Sequence, residues 1–194
     1  MIIGGWKAYY ELENNFKSVD LYIWSKKQFL FKTLVTPVVS YICEFWGCSI
    51  SRESWRKIEM IQKKFITYNL KIKGNAPYPI LLIEVGPSYI KCATMFRYLM
   101  YKKNLNDMES KRFPKIASNF SQNPHLNLKH RWHQDAQPWL NLWGIKEEII
   151  MGSKDNVKDA ITSNFNDKLW DDKDLEGKRK LRYYKEVINP TLDN

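Results

Sequence analysis

The stretch Arg52–Asn69 is the feature that most constrains the fold, because its apolar and basic side chains separate at helical spacing. At about 100° per residue, one arc holds apolar residues and the opposite arc holds cations, interrupted by two glutamates. Ser51 stands directly before this stretch, where its hydroxyl can cap a helix. The pattern predicts a long helix with one face in a core and a basic face in solvent. The apolar arc comprises Trp55, Ile58, Ile61, Phe65, Ile66 and Tyr68, and the two acids are Glu53 and Glu59.

The cations of this helix and of the turn after it are the best candidates for a functional surface. Together they place seven positive charges against two acids. Such a stripe can follow a phosphate backbone without reading base sequence. The alternative is a basic face that only keeps the helix solvated. The predicted nucleic-acid-binding residues are Arg52, Arg56, Lys57, Lys63 and Lys64 on the helix, with Lys71 and Lys73 in the turn.

The overall charge agrees with a polyanionic partner. The chain of 194 residues has 31 Lys and Arg against 21 Asp and Glu, a formal net charge of +10. A basic excess of this size suits nucleic acid most often and a membrane surface less often. Three cysteines without a C-x-x-C pair disfavour a disulfide scaffold and a zinc finger, and they indicate a reducing compartment. With no signal-peptide pattern at the N-terminus, we expect a nuclear or cytoplasmic protein that is not secreted.

Apolar periodicity and breaker residues predict helix along almost the whole chain. Ser25 with Gln28 three residues later forms a capping box, and Pro37 should kink the helix that it opens. Residues 29–46 have the length of a membrane span, but Lys32 and Glu44 favour a buried helix in a soluble protein. Gly4-Gly5 marks a boundary after which the first helix covers 6 to about 16. Beyond this helix and Arg52–Asn69, the predicted helices cover 25 to about 46, 89 to about 105, 135–143, 156–170 and 175–188, with a short apolar turn at 80–85.

These elements predict an all-α fold in three parts. Residues 1–105 form a helical bundle, 106–128 a linker with a short turn near Ile116, and 129–194 a looser helical segment. The helix at 89–105 is apolar almost all round and should be the central buried helix. Arg97 lies on its apolar side, so we expect a buried ion pair there, with Glu84 as the partner.

No pattern predicts catalysis, a metal site, a cofactor or a small-molecule substrate. His130-x-x-His133, with His125 nearby, lacks the further ligands that a metal needs. Asp171-Asp172 ends a predicted helix rather than standing on a strand hairpin, so it does not resemble a two-metal polymerase site. Walker, G-x-G-x-x-G, G-x-S-x-G and H-E-x-x-H motifs are all missing from the sequence.

A series of short patterns runs from residue 30 to residue 101, with a further pattern near the C-terminus. The first comprises Leu30-Phe31, Leu34-Val35, Pro37-Val38, Tyr41, Glu44 and Trp46-Gly47. The next three comprise Ile58, Gln62 and Phe65; Pro79, Leu81-Leu82, Glu84 and Gly86; and Ala93, Arg97 and Tyr101. The last is Trp170 followed by Leu181-Arg182-Tyr183-Tyr184-Lys185. In order and spacing they resemble the region downstream of the catalytic palm in reverse transcriptases of non-LTR (LINE-type) retrotransposons, particularly plant-type elements.

The resemblance implies a helical thumb at residues 2–24 and a helical connector after it. The palm with its catalytic aspartates would precede Met1, and the Cys/His knuckle of many such elements would follow Asn194. Ile42 stands where the family usually has glycine, and Gly86-Pro87-Ser88 replaces a leucine–proline context. Both departures fit a diverged copy.

From these observations we expect an irregular, thumb-like all-α bundle with a looser C-terminal part. The chain would be a non-catalytic fragment of an RNA-directed DNA polymerase. It would bind RNA or RNA–DNA duplex, without sequence preference, through the basic helix. The alternatives are a helical protein-interaction module and a retroelement remnant without a function of its own. The oligomeric state stays open.

Overall fold

The computed structural model describes residues 1–19, 21–74, 76–85, 90–123, 132–142, 144–145 and 152–170, and all regular structure in these residues is helical. The predicted all-α fold is confirmed. The helices are α1 (Ile2–Ser18), α2 (Trp24–Leu30), a π-helical turn (Phe31–Val35), α3 (Thr36–Val39), α4 (Cys43–Trp46), α5 (Arg52–Asn69), α6 (Tyr78–Val85), α7 (Ile90–Asp107), α8 (Phe113–Gln122), α9 (Trp132–Leu142) and α10 (Lys154–Trp170).

Helix α5 has the predicted bounds and the predicted cap. The Ser51 Oγ accepts a hydrogen bond of 3.2 Å from the Ser54 backbone N–H, which satisfies one of the free donors of the first turn. The apolar arc is buried from Trp55 to Ile66, whereas Tyr68, the last residue of the arc, is exposed. α5 therefore carries one face of the core and leaves its opposite face in solvent.

Helix α1 begins at Ile2, four residues earlier than predicted, and includes both glycines that were interpreted as a boundary. Gly5 is buried against α3 and α5. A Cβ atom there would lie 2.6 Å from Val39 Cγ2 and 2.9 Å from Ile61 Cδ1. The glycine thus lets α1 approach its neighbours closely, and this packing outweighs the cost of about 1 kcal/mol that glycine adds to a helix.

The predicted helix from 25 to about 46 is interrupted twice. The prediction of a capping box at Ser25 is wrong, because the helix already begins at Trp24 and has no side-chain cap. Before Pro37 the chain passes through the π-helical turn, where the Thr36 N–H reaches the Phe31 carbonyl. The π-helical turn lies directly before Pro37, and the predicted kink at this proline stays a prediction. Residues 40–42 then separate α3 from α4.

Ile42, in the second interruption, has a left-handed backbone with φ of 53° and ψ of 28°. An L-residue pays roughly 1–2 kcal/mol in this region, and a β-branched side chain is especially unsuited to it. Its side chain is partly exposed and so recovers little by burial. The position is therefore one that favours glycine.

We expect Ile42→Gly to stabilise the fold by about 1 kcal/mol, because the relief of strain exceeds the extra backbone entropy of glycine in the unfolded chain. Urea unfolding of both proteins measures the difference. An unchanged or reduced free energy of unfolding would show that Ile42 is not strained.

Gln62 joins α5 to α6 and α7 inside the core. Its Oε1 accepts hydrogen bonds from the Tyr78 hydroxyl at 2.9 Å and from the Ile90 N–H at 3.4 Å. The side chain is buried, so these bonds satisfy a polar group that would otherwise be costly. The glutamine of the second sequence pattern thus has a structural role.

Helix α7 packs one side in the core, and its place as the central buried helix stays a prediction. Thr94, Tyr98 and Leu99 are fully buried. Arg97, however, is exposed and donates a 3.2 Å hydrogen bond to the Ser40 carbonyl at the end of α3. The prediction of a buried Arg97 was wrong because this side chain reaches outward to a helix-terminal carbonyl.

The segment predicted as a linker contains the ten-residue helix α8 rather than a short turn near Ile116. The described parts of α9 and α10 contribute Ala136, Leu140, Val157 and Ile161 to the same hydrophobic core as α1, α5 and α7. The predicted helix at 175–188 lies outside the described residues. The division at residues 105 and 129 stays a prediction.

A polar cluster fills the space where α1, α2 and the end of α5 meet. Asn69 donates from Nδ2 to the buried Glu13 carboxylate and accepts at Oδ1 a 2.9 Å hydrogen bond from Lys27 Nζ. Burial raises the pKa of Glu13, although Asn69 and the ammonium groups of Lys27 and Lys17 act to lower it. Glu13 is therefore a carboxylate whose ionised form the fold disfavours.

We expect Glu13→Gln to stabilise the fold near neutral pH, because an amide retains the acceptor for Asn69 without the buried charge. Because the pKa of Glu13 is raised in the folded state, the protonated side chain contributes its full stabilisation below the unfolded pKa of about 4.3. That stabilisation is lost as the pH rises through the folded-state pKa. The gain should therefore shrink at about pH 4. Urea unfolding at the two pH values tests this; an equal effect at both would contradict it.

Candidate nucleic-acid interface

The structure places the predicted cations on the outer side of α5 and in the turn that follows it. All are exposed except Lys63, which is half-buried. The opposite side of the same helix is buried in the core. Arg52, Arg56, Lys57, Lys63, Lys64, Lys71 and Lys73 are called the basic face below.

The helical cations of the basic face fall into two rows. At about 100° per residue, Arg52, Arg56 and Lys63 lie within about 40° of one another. Lys57 and Lys64 lie about 100° further round the helix, with the exposed Met60 between the rows. From Arg52 to Lys63 the first row rises about 16 Å along the axis. That length equals several phosphate steps of a duplex strand, at about 3.4 Å each.

Glu53 neutralises part of the second row. Its carboxylate lies 2.8 Å from Lys57 Nζ in an i,i+4 ion pair, and both side chains are largely exposed. The Lys57 ammonium lowers the pKa of Glu53. Exposed pairs of this kind contribute little energy, so a phosphate could displace the glutamate.

Glu59 is turned away from the cations of α5. Its carboxylate lies 2.6 Å from Lys91 Nζ on α7, and this lysine also lies over the Trp55 ring, 5.5 Å from the centroid. The pair thus fastens α5 to α7. Apart from Lys57, no residue of the basic face has a carboxylate partner within the described part of the chain.

The turn after α5 holds Lys71 in a left-handed conformation with φ of 54°. The Ile72 N–H donates to the Thr67 carbonyl at 2.9 Å, and the Lys71 N–H donates to the Tyr68 carbonyl at 3.3 Å. This pair of bonds is a Schellman motif, in which the left-handed residue is usually glycine. A lysine here brings a cation to the helix C-terminus, at some cost in backbone energy.

We expect Lys71→Gly to leave stability unchanged or slightly higher while weakening nucleic-acid binding. Glycine suits the left-handed turn, and the loss of one phosphate contact should lower the slope of log affinity against log salt by about one. Paired unfolding and binding curves measure the two effects. A loss of stability, or an unaltered salt slope, would contradict the assignment.

Lys17 is a candidate site residue that the sequence did not indicate. It is exposed on α1, and its Nζ lies 5.9 Å from the centroid of the Tyr68 ring on α5. The ring is adjacent to the second row of cations on the helix surface. Only the packing of α1 against α5 brings Lys17 there, so no local signal could have identified it.

The described residues contain no group of three or more His, Cys, Asp or Glu side chains that could hold a metal ion. Burial raises the pKa of the Cys43 thiol to about 11 and that of Cys92 to about 12, which disfavours the reactive thiolate. The histidines of the His125–His133 region and the pair Asp171-Asp172 lie outside the residues whose side chains are described. Within that same part of the chain, no helix has both the length and the apolar character to cross a bilayer.

Comparison with known proteins identifies no relative. The chain matches no protein-family model, and no curated protein or solved structure is significantly similar to it. The resemblance to reverse transcriptases therefore rests on the sequence patterns alone.

Proposed function

We propose that this chain is a helical nucleic-acid-binding domain, related to the non-catalytic part of a LINE-type reverse transcriptase, that holds RNA or RNA–DNA duplex by its phosphates. The observation that carries the proposal is the basic face. Its cations lie at the surface of one helix and its turn, most of them without a carboxylate partner among the described residues. Contacts of this type are strong at low salt and independent of base sequence.

Two positions lend support to the proposed parent family. The family pattern has glycine where Ile42 stands, and this is a left-handed position that favours glycine. The pattern also has glutamine at position 62, where the side chain holds α5 to α6 and α7. The first links the family's glycine, which this chain has lost, and the second links the glutamine that it keeps, to a physical requirement of the fold.

Exposed apolar side chains on the first four helices are in keeping with a fragment of a larger protein. Large exposed apolar side chains can belong to a surface on which another part packs. The same exposure favours the alternative of a helical protein-interaction module, and it also suits a remnant without function. The most exposed apolar side chains of α1–α4 and their connections are Ile3, Tyr10, Val19, Tyr22, Ile23, Phe29, Leu34, Tyr41 and Phe45.

Binding of labelled RNA and RNA–DNA duplex at roughly 50 and 200 mM salt tests the proposal. With four to six phosphate contacts, we expect affinity to fall about 100- to 1,000-fold between the two conditions. A duplex of scrambled sequence should bind equally well. Absence of binding at the lower salt would overturn the proposal and leave the interaction module or the remnant.

A further inference from the structure

Helix α8 is amphipathic, but its apolar side faces solvent instead of the core. Its apolar stripe is exposed, with Phe113 at 80%, Phe120 at 59% and Ile116 at 37% exposure. The side towards α7 and α9 carries Ser118, which is buried, and Ser121. A surface helix normally buries its apolar stripe, but the described residues leave the α8 stripe (Phe113, Ile116 and Phe120) uncovered.

Cations surround one end of the α8 stripe. Lys111 and Arg112 are exposed immediately before Phe113, and neither has a carboxylate partner within the described residues. Lys115, one turn on, donates to the Asn106 carbonyl at 3.4 Å. Asp107 and Glu109 are exposed acids near this end, so three cations stand against two acids and the local balance stays positive. The surface therefore favours a negatively charged partner.

The side chains of the stripe narrow the choice of anionic partner. Two of the three are flat aromatic rings, separated by about 10 Å along the helix axis. Cations beside exposed rings are how proteins hold unpaired nucleotides, because the rings stack on bases and the cations contact phosphates. A second copy of the chain fits poorly, because its α8 carries no acidic side chain to pair with these cations. An anionic membrane fits less well, because interfacial affinity grows with apolar area and this helix offers three side chains.

We propose that the α8 stripe, with Lys111 and Arg112, binds single-stranded nucleic acid by stacking. The inference deepens the proposed function, on which it rests for the class of partner. The basic face of α5 contacts paired phosphates, and α8 takes an unpaired stretch of the same kind of molecule. Loss of the rings should therefore affect single strands and leave duplex binding intact.

The test uses the full chain and a labelled oligouridine of about 12 nucleotides at roughly 50 mM salt. Phe113→Ala with Phe120→Ala should weaken single-strand binding tenfold or more, at about 1–3 kcal/mol per stacked base. Duplex affinity should change less than about twofold. Both side chains are largely exposed, so the variant should fold normally.

Two further variants separate stacking from apolar contact. Phe113→Leu with Phe120→Leu keeps apolar surface but removes the rings, so it should lose as much affinity as the alanine pair. Phe29→Ala, an exposed phenylalanine on α2, should leave single-strand binding unchanged. Rescue by leucine, or equal loss from Phe29→Ala, would overturn the inference.

Vesicles containing phosphatidylserine supply the remaining comparison. Vesicle binding that is lost in the alanine pair and kept in the leucine pair would assign the stripe to lipid and overturn the inference. Single-strand binding unaffected by the alanine pair would also overturn it, while salt-sensitive duplex binding would still uphold the proposed function. Conversely, single-strand binding that depends on the rings, without any duplex binding, would support the site on α8. It would overturn the proposed duplex binding by the basic face of α5.

Discussion

Replacing Lys63 and Lys64 with glutamate should weaken binding to RNA–DNA duplex at least tenfold at roughly 50 mM salt. The change removes one cation from each row of the basic face and adds two charges that repel phosphate. The slope of log affinity against log salt should fall by about two, one for each lost phosphate contact. Fluorescence anisotropy across a salt series measures both quantities.

A matched variant with the same change in net charge is Lys7→Glu with Lys158→Glu. Both lysines are exposed, on α1 and α10, and neither belongs to the basic face. Because neither lysine is assigned a phosphate contact, this variant should retain most of the affinity and the full slope. Equal losses in the two variants would mean that net charge, rather than the basic face, determines binding.

Gly47→Ala should destabilise the fold by about 2 kcal/mol, the usual cost of forcing extra atoms into a packed region. A Cβ atom at this position would lie 2.5 Å from Thr94 Cγ2 and 2.7 Å from the Cys43 carbonyl oxygen. The first contact could be relieved by moving α7 or by turning the Thr94 side chain away from its hydrogen bond to the Ile90 carbonyl, and the second only by moving the backbone of α4. Thermal unfolding should show a midpoint lower by about 4–8 °C.

Two further substitutions show whether steric contact is the cause. Gly74→Ala places a Cβ where no atom lies within 4 Å, so it should be neutral or slightly stabilising. Adding Thr94→Ser to Gly47→Ala removes the methyl group that clashes and should recover part of the loss. Thr94→Ser keeps the hydroxyl that donates to the Ile90 carbonyl at 2.8 Å. No recovery in the double variant would contradict the steric explanation.

The sequence predicted best where local chemistry and tertiary packing agree. In α5 the Ser51 cap, the strong helix formers and the apolar arc all indicate one helix, and the structure has those bounds. The exposure of the basic face follows from the same periodicity. Charged side chains on the arc opposite the core have no alternative to solvent.

Tertiary packing decided what local patterns could not. Gly5 was interpreted as a helix boundary, yet its missing Cβ is what lets α1 approach α5 closely. The polar residues of α8 indicated a linker, because periodicity alone does not reveal a helix whose apolar stripe faces outward. Lys17 reaches Tyr68 only because distant segments pack together.

Lysine acetylation with and without bound RNA–DNA duplex tests most directly whether the basic face of α5 is the binding surface. The duplex should protect Lys57, Lys63, Lys64, Lys71 and Lys73 from the reagent, whereas Lys7 and Lys158 should react as in the free protein. Salt at roughly 200 mM should remove the protection together with the binding. Protection centred on Lys7 and Lys158, or bound duplex with no protection on α5, would contradict the assignment.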